Sequence, residues 1–222
     1  MNNQGQGFES LIEFLRKLQA NNSKAWMDQN RKEYQRVRDF YVGWLDMMNI
    51  ELAKIDPNYY DTPGKKAINR INNNLMFHPN RPVYKDHFGA GLDQLSKQGD
   101  FYVEINTQDV FIGGGYWHPD PKSLRSIRQA IDYDGERLQA ILNKPTFKEQ
   151  FGALIEADSL IRAPKGFPED HPQIDLLKRK AFAVSCQLPH KILFEDVFNK
   201  EVIRIYKEML PFRRYLNQAV TV

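Results

Sequence analysis

Residues 101–112 read Phe-Tyr-Val-Glu-Ile-Asn-Thr-Gln-Asp-Val-Phe-Ile, and this stretch decides the fold class. Every second residue from Phe101 to Ile105 is apolar, which predicts a strand with one buried face. The polar run 106–109 separates this strand from a second apolar stretch at 110–112. Two such strands joined by a short polar turn form a hairpin, so we expect antiparallel pairing.

Helical patterns occur on both sides of the hairpin. Apolar residues recur at spacings of three and four in the stretches 8–18, 34–55, 124–131 and 197–216. Alternation from about residue 68 to residue 77 and at 182–188 predicts two more strands. The order indicates an α+β protein with a helical N-terminal third, a central mostly antiparallel sheet and a helical C-terminal part. We expect a single domain over residues 1–222, with residues 1–7 flexible.

The composition is that of an ordinary globular protein. The 222 residues are 41% apolar and 27% charged, and 31 Lys and Arg against 28 Asp and Glu give a formal net charge of +3. No apolar run approaches the roughly 18 residues of a membrane helix, and the N-terminus lacks a signal-peptide pattern. The single Cys186 cannot form an internal disulfide. We therefore expect a cytoplasmic protein without a membrane partner, and the oligomeric state is left open.

Three consecutive glycines, Gly113, Gly114 and Gly115, follow the hairpin and precede Asp120-Pro121, a pair typical of a helix start. Glycine is favoured where φ is positive or where the backbone approaches another group closely. A glycine-rich turn between a strand and a helix can present N–H groups to an anion. Two interpretations stay open: a flexible or bulged strand end, and a turn that binds a ligand.

Cations concentrate between Lys65 and Lys85. Arg70 lies in the predicted strand, and Arg81, Tyr84 and Lys85 follow in its exit loop. Arginine offers a planar fork and lysine a point charge, and both recognise phosphate or carboxylate groups. Arg70, Arg81, Tyr84 and Lys85 are therefore candidate ligand-binding residues. The alternative is a solvated basic face.

A stiff, proline-rich loop at residues 163–172 contains Asp170 and His171. The carboxylate can orient the imidazole for proton transfer, so both are candidate catalytic residues; alternatively, Asp170 caps the next helix. The five histidines lack metal-ligand spacing, and Cys186 lies in an apolar run. No metal, nucleophile or cofactor is predicted, and whether the chain is an enzyme is left open.

Several short motifs occur in order along the chain. They are Leu18-x-x-Asn21-Asn22-x-Lys24-x-Trp26, Asn30-Arg31, Tyr34, Arg70-Ile71, Phe77, Asn80-Arg81, Tyr84-Lys85, Gly113-Gly114-Gly115-Tyr116-Trp117, Leu124-x-x-Ile127-Arg128, Pro164-Lys165-Gly166 and Asp170-His171-Pro172. Together they resemble the bacterial family catalogued as domain of unknown function 2461. Because that family has no settled activity, the resemblance implies a fold more than a function.

The chain departs from the pattern of that family at Asn73, Asn74 and Met76. The family pattern has Arg, Asp and Arg at these three positions. An amide cannot supply a guanidinium fork or a carboxylate base. The resemblance therefore implies altered or lost activity at this segment.

Three functions stay open. The leading hypothesis is a pocket for a small anionic ligand with a phosphate or carboxylate group, formed by the Arg70 strand, the 81–85 loop, the three glycines and the Asp170-His171 loop. A nucleic-acid-associated binding protein is less favoured, because the cations are interspersed with acids. A scaffold or interaction protein with a decayed ancestral site is the third, suggested by the three substituted positions.

Overall fold

The computed structural model describes residues 3–94 and 99–220. In these residues the α-helices are α1 (Asn3–Ala20), α2 (Lys24–Gln29), α3 (Arg31–Ala53), α4 (Gly64–Ala67), α5 (Pro121–Asn143), α6 (Pro145–Phe151), α7 (Ile174–Lys178) and α8 (Phe198–Val220). The strands are β1 (His87–Leu92), β2 (Phe101–Asn106), β3 (Asp109–Tyr116) and β4 (Phe182–Pro189), and a 3₁₀ helix spans His190–Phe194. Helical parts flank a central sheet, which confirms the α+β class.

The strands form one antiparallel sheet in the order β1-β2-β3-β4. The predicted hairpin is confirmed, and the side chain of Asn106 forms its turn. Asn106 Oδ1 accepts hydrogen bonds from the N–H groups of Gln108 (2.7 Å) and Asp109 (3.0 Å). Because a side chain next to the turn satisfies the turn's own backbone, the hairpin is specified locally. The strand predicted near 182–188 is also confirmed as β4.

The strand predicted from about residue 68 to residue 77 is wrong. The segment makes two isolated antiparallel bridges, Ile68 with Ala90 and Asn72 with Tyr84, and the chain then turns. The Asn74 carbonyl accepts hydrogen bonds from the N–H groups three and four positions later, at 3.3 and 3.0 Å. The alternating pattern therefore ends where the backbone reverses. The sequence did not predict β1, because buried and exposed residues do not alternate along it and because it contains two glycines.

Residue contacts divide the chain into two compact units. The first is Met1–Asp93, Tyr102–Ile112 and Gln187–Ile203, and the second is Gln94–Phe101, Gly113–Cys186 and Arg204–Val222. The single domain stays a prediction. The predicted flexibility of residues 1–7 falls partly on residues 1 and 2, which lie outside the described residues, whereas α1 begins at Asn3. Within the described ranges, no helix is both long enough and apolar enough to cross a membrane.

Aromatic rings form much of the core of the first unit. Phe8 lies edge-on to Phe40, Trp44 and Phe198, with ring centroids 5.0 to 5.7 Å apart. The indole N–H of Trp44 donates to Asn199 Oδ1 at 2.9 Å, so its polar atom is satisfied inside the core. The apolar stripes predicted on α1 and α3 thus face each other.

In the second unit, α5 is anchored at its start and near its middle. Asp120 caps the helix as predicted, because its carboxylate accepts hydrogen bonds from the N–H groups of Lys122 and Ser123. The helix is kinked at Asp134, whose φ of −145° and ψ of 49° are not helical. The hydroxyl of Tyr215 donates to the Asp134 carbonyl at 3.1 Å and satisfies this carbonyl at the kink.

Candidate functional site

The residues proposed from the sequence fall into both units. The first unit holds Arg70, Arg81, Tyr84 and Lys85, and the second holds Gly113, Gly114, Gly115, Asp170 and His171.

Arg70, Arg81 and Lys85 form a basic group in the first unit. Lys85 Nζ donates to the Arg70 carbonyl at 2.8 Å. Burial, followed by the charge of Arg70, lowers the pKa of Lys85; Arg81 acts in the same direction, and Glu104 opposes it. In the described part of the chain, no carboxylate lies within 4.0 Å of these three cations. The group is therefore a net positive surface.

Tyr84 is held through its backbone. Its N–H donates to Asn22 Oδ1, and Asn22 Nδ2 donates to its carbonyl, both at 2.9 Å. One amide side chain thus satisfies both backbone groups of Tyr84, as a neighbouring strand would. The Tyr84 side chain is buried, with 4% exposed, and its assignment to a ligand site stays a prediction.

The three glycines lie inside β3 and are buried, which corrects the predicted turn. A Cβ on Gly114 would lie 2.4 Å from Met209 Sδ, and one on Gly115 would lie 2.3 Å from the Phe182 carbonyl oxygen. Close approach of α8 and β4 therefore explains glycine at these positions. The assignment of the three glycines to a ligand site stays a prediction.

His171 pairs with a carboxylate that the sequence did not indicate. Its Nε2 lies 3.0 Å from Asp132 Oδ1 on α5, and its Nδ1 accepts a hydrogen bond from the Gln173 N–H at 3.0 Å. Because a backbone N–H can only donate, Nδ1 carries no proton and Nε2 donates to Asp132. Both ring nitrogens are thus engaged, so His171 orients Asp132 and has no ring nitrogen open for proton abstraction in this arrangement.

Asp170 is exposed and does not cap the next helix, so the capping interpretation is wrong. The N-cap residue of α7 is Gln173, and no side-chain cap bond forms there. The chain turns between Pro168 and His171, whose N–H donates to the Pro168 carbonyl at 3.3 Å, and this turn separates Asp170 from the helix start.

A cavity of about 720 Å³, the α5 cavity, lies between α5 and residues 164–167 of the second unit. This volume is in the range of small-molecule sites. Its charged lining residues are Arg125, Arg128, Asp132 and Lys165. Phe167 also lines it and lies edge-on to His171, with ring centroids 6.3 Å apart. The His171–Asp132 pair therefore borders the cavity.

Arg128 is fixed in place by backbone carbonyls. Its Nε donates to Leu177 O at 2.8 Å, and its Nη2 donates to Arg179 O at 3.1 Å. Burial lowers the pKa of Arg128. Among the residues that the structure describes, neither Arg128 nor Arg125 nor Lys165 has a carboxylate within 4.0 Å. The charged lining thus consists of three cations and one carboxylate, Asp132, so its formal net charge is +2.

A sequence signal for this site is the spacing of three charged residues on α5. Arg125, Arg128 and Asp132 are spaced at i, i+3 and i+7, which places them on one face of a helix. Arg128 and Lys165 also belong to two separate motifs of the family resemblance, and the structure brings these motifs to one cavity.

Comparisons with known proteins place the chain in a family without naming a reaction. In the described residues, no three or more His, Cys, Asp or Glu side chains are grouped to hold a metal. No curated protein matches the chain. The model of a family described as "Conserved hypothetical protein (DUF2461)" matches residues 10–215, which confirms the resemblance. The chain therefore belongs to the DUF2461 family.

Proposed function

We propose that the chain binds a small anionic ligand, with a phosphate or carboxylate group, in the α5 cavity. The observation that carries this proposal is the charge of the lining. Arg125, Arg128 and Lys165 line one cavity from a helix and a loop, whereas its lining has a single carboxylate, Asp132, which is not within 4.0 Å of any of the three cations. An anion would supply the missing opposite charge.

Arg128 is the residue best prepared to bind such a ligand. Taking a cation out of water is unfavourable unless an opposite charge compensates it, and the lowered pKa of Arg128 reflects this burial. The two carbonyl acceptors fix the guanidinium plane before any ligand arrives, which reduces the entropy lost on binding. A guanidinium has five N–H groups, so donors beyond these two bonds can form a bidentate contact with an oxyanion.

Asp132 narrows the class of ligand. A carboxylate would repel an oxyanion placed beside it, but it accepts hydrogen bonds from hydroxyl or amine groups. His171 donates to one of its oxygens and so helps to orient it. The proposed ligand therefore combines an anionic group near Arg128 with a hydroxyl or amine group near Asp132.

A cytoplasmic location is part of this proposal, and cell fractionation with an antibody against the chain tests it.

The nucleic-acid and scaffold hypotheses stay predictions. The basic group of the first unit does not enter the proposal, because the α5 cavity is formed within the second unit.

Removing the exposed cations of the α5 cavity is expected to weaken anion binding. In isothermal titration calorimetry with inorganic phosphate, pyrophosphate and citrate, at least one of these anions should bind the natural chain. The double variant Arg125→Ala/Lys165→Ala should bind it about 10- to 100-fold more weakly, since each lost contact from these exposed side chains contributes about 0.7–1.4 kcal/mol. Both side chains are exposed, so the variant should fold.

Lys122→Ala is the matched control. Lys122 is an exposed cation at the start of the same helix and does not line the cavity. This control should bind the anion as the natural chain does. The proposal is wrong if none of the three anions binds at millimolar concentration, or if Lys122→Ala weakens binding as much as the double variant does.

A further inference from the structure

We propose that residues 73–83, here called the apolar loop, dock the chain on a membrane surface that contains anionic lipid. Leu75, Met76 and Phe77 would enter the interface between headgroups and acyl chains. The basic group Arg70, Arg81 and Lys85 would contact the lipid headgroups. This surface lies in the first unit and does not depend on the α5 cavity.

The apolar loop is closed at its base by hydrogen bonds. The N–H of Asn73 donates to the Val83 carbonyl at 3.0 Å, and the Asn73 side chain donates to the Pro82 carbonyl at 2.9 Å. At the other end, the N–H of Arg81 donates to the His78 carbonyl at 3.1 Å. These hydrogen bonds give the loop a defined conformation, in which the apolar residues lie at its tip.

The tip exposes three consecutive apolar side chains. Leu75 is 37% exposed, Met76 81% and Phe77 72%. Single exposed apolar residues are common on protein surfaces and need no explanation, but a contiguous group at the end of a closed loop marks an interaction surface. Exposure of this group to water is unfavourable, so a partner with an apolar phase would stabilise it.

The charges beside the tip determine what kind of partner fits. Arg70 and Arg81 are exposed and act electrostatically on Lys85, so the three cations are close together. The acids nearby have other partners: Asp86 contacts His87 at 3.0 Å, and Glu104 accepts a hydrogen bond from the Tyr102 hydroxyl at 2.9 Å. An apolar tip on a loop that carries Arg81 and is flanked in sequence by Arg70 and Lys85 is complementary to a surface with an apolar interior and negative headgroups.

An anionic membrane fits these residues better than a nucleic acid does. Binding of single strands relies on aromatic rings that stack on bases. Of the three tip residues only Phe77 is aromatic, whereas Leu75 and Met76 are aliphatic or thioether side chains without a flat face. All three are apolar and can insert among acyl chains. The sequence-based expectation of no membrane partner considered runs long enough to span a bilayer, whereas surface docking needs only a few residues.

Co-sedimentation with lipid vesicles tests the proposal on the full chain. The chain should bind vesicles of phosphatidylcholine with about one third phosphatidylserine, bind pure phosphatidylcholine more weakly, and release as the salt concentration rises. Met76→Ser/Phe77→Ser should reduce partitioning about tenfold or more, because two apolar insertions are lost. Arg81→Glu should reduce binding to the anionic vesicles and leave binding to pure phosphatidylcholine vesicles unchanged.

Matched variants separate a docking loop from general stickiness. Ile161→Ser removes an apolar side chain that is 94% exposed in the second unit, and Lys122→Glu makes the same change of charge as Arg81→Glu. Both controls should bind vesicles as the natural chain does. Far-UV circular dichroism should show that all variants are folded, because every substituted side chain is exposed.

Three results would overturn the proposal. The first is no binding to the anionic vesicles. The second is an equal loss of binding in the loop variants and their controls. The third is retention by a single-stranded oligothymidine that depends on Phe77, combined with no vesicle binding, which would identify the loop as a nucleic-acid surface. Anion titration of the α5 cavity is unaffected by these outcomes, so failure here does not bear on the proposed function.

Discussion

Gly115→Ala is expected to lower the free energy of unfolding by about 4 kcal/mol. Gly115 has a φ of +101°, and a side chain at such a φ costs about 1–3 kcal/mol. The new Cβ would also lie 2.3 Å from the Phe182 carbonyl oxygen, 2.9 Å from Phe212 Cε1 and 3.1 Å from Ala183 Cα. Two of these neighbours are backbone atoms that cannot rotate away, so β4 must shift, and such overpacking costs about 1–3 kcal/mol more.

Gly166→Ala is the matched control for backbone strain. Gly166 has nearly the same φ, +97°, but a Cβ there would meet no atom within 4 Å. Its substitution should lower the unfolding free energy by only about 1–2 kcal/mol. Urea denaturation followed by far-UV circular dichroism measures both losses. Equal losses would show that the close approach of β4 to Gly115 has no energetic consequence.

The glycine run shows why local reasoning identified a feature without its role. Three adjacent glycines indicate a positive φ or a close approach, and both conditions hold at Gly115. The neighbour that approaches is Phe182 on β4, which lies far along the chain. No pattern near residue 115 indicates which strand packs there, so the sequence reading placed a turn where the structure has a buried strand.

The predictions that succeeded concern structure fixed by near neighbours. The hairpin turn depends on Asn106 bonding to the next few residues, and the start of α5 depends on Asp120 in the same way. The strand predicted from about residue 68 to residue 77 is wrong because a turn at Asn74 interrupts its alternation. Tyr84, opposite this segment, is instead held by Asn22 from the N-terminal third, a contact that alternation cannot reveal.

The candidate site likewise combines features that the sequence indicates with contacts that depend on tertiary packing. His171 was singled out from its residue type, but its adjacent acid, Asp170, is not its partner. A turn of the loop brings the ring to Asp132 on α5, and that contact depends on how the loop packs on the helix. The spacing of Arg125, Arg128 and Asp132 indicates one helix face, but no pattern in the sequence indicates that residues 164–167 line the cavity beside them.

We compare the unfolding free energy of the natural chain with that of the variant Asp100→Asn. As the pH rises from about 4 to about 6, the natural chain is expected to lose stability relative to the variant. Burial raises the pKa of Asp100 to about 6, and Arg213 opposes this shift only in part. In the unfolded chain the same carboxyl titrates near its usual value of about 4. Between these two pKa values the folded state binds the proton more tightly than the unfolded state does. The stabilisation that results is complete below about pH 4 and is lost as the pH passes 6.

A shift of about two pKa units corresponds to about 2–3 kcal/mol of unfolding free energy, and Asp100→Asn should remove this pH dependence. Urea midpoints of both proteins from pH 3.5 to about 7.5 measure it as a difference. The subtraction matters because Asp120 and Glu169 have lowered pKa values, which make stability rise with pH in both proteins alike. The amide of asparagine resembles the protonated carboxyl, so the two curves of urea midpoint against pH should meet near pH 4 and separate above it. Parallel curves would contradict the prediction, because they would place Asp100 in water-like surroundings.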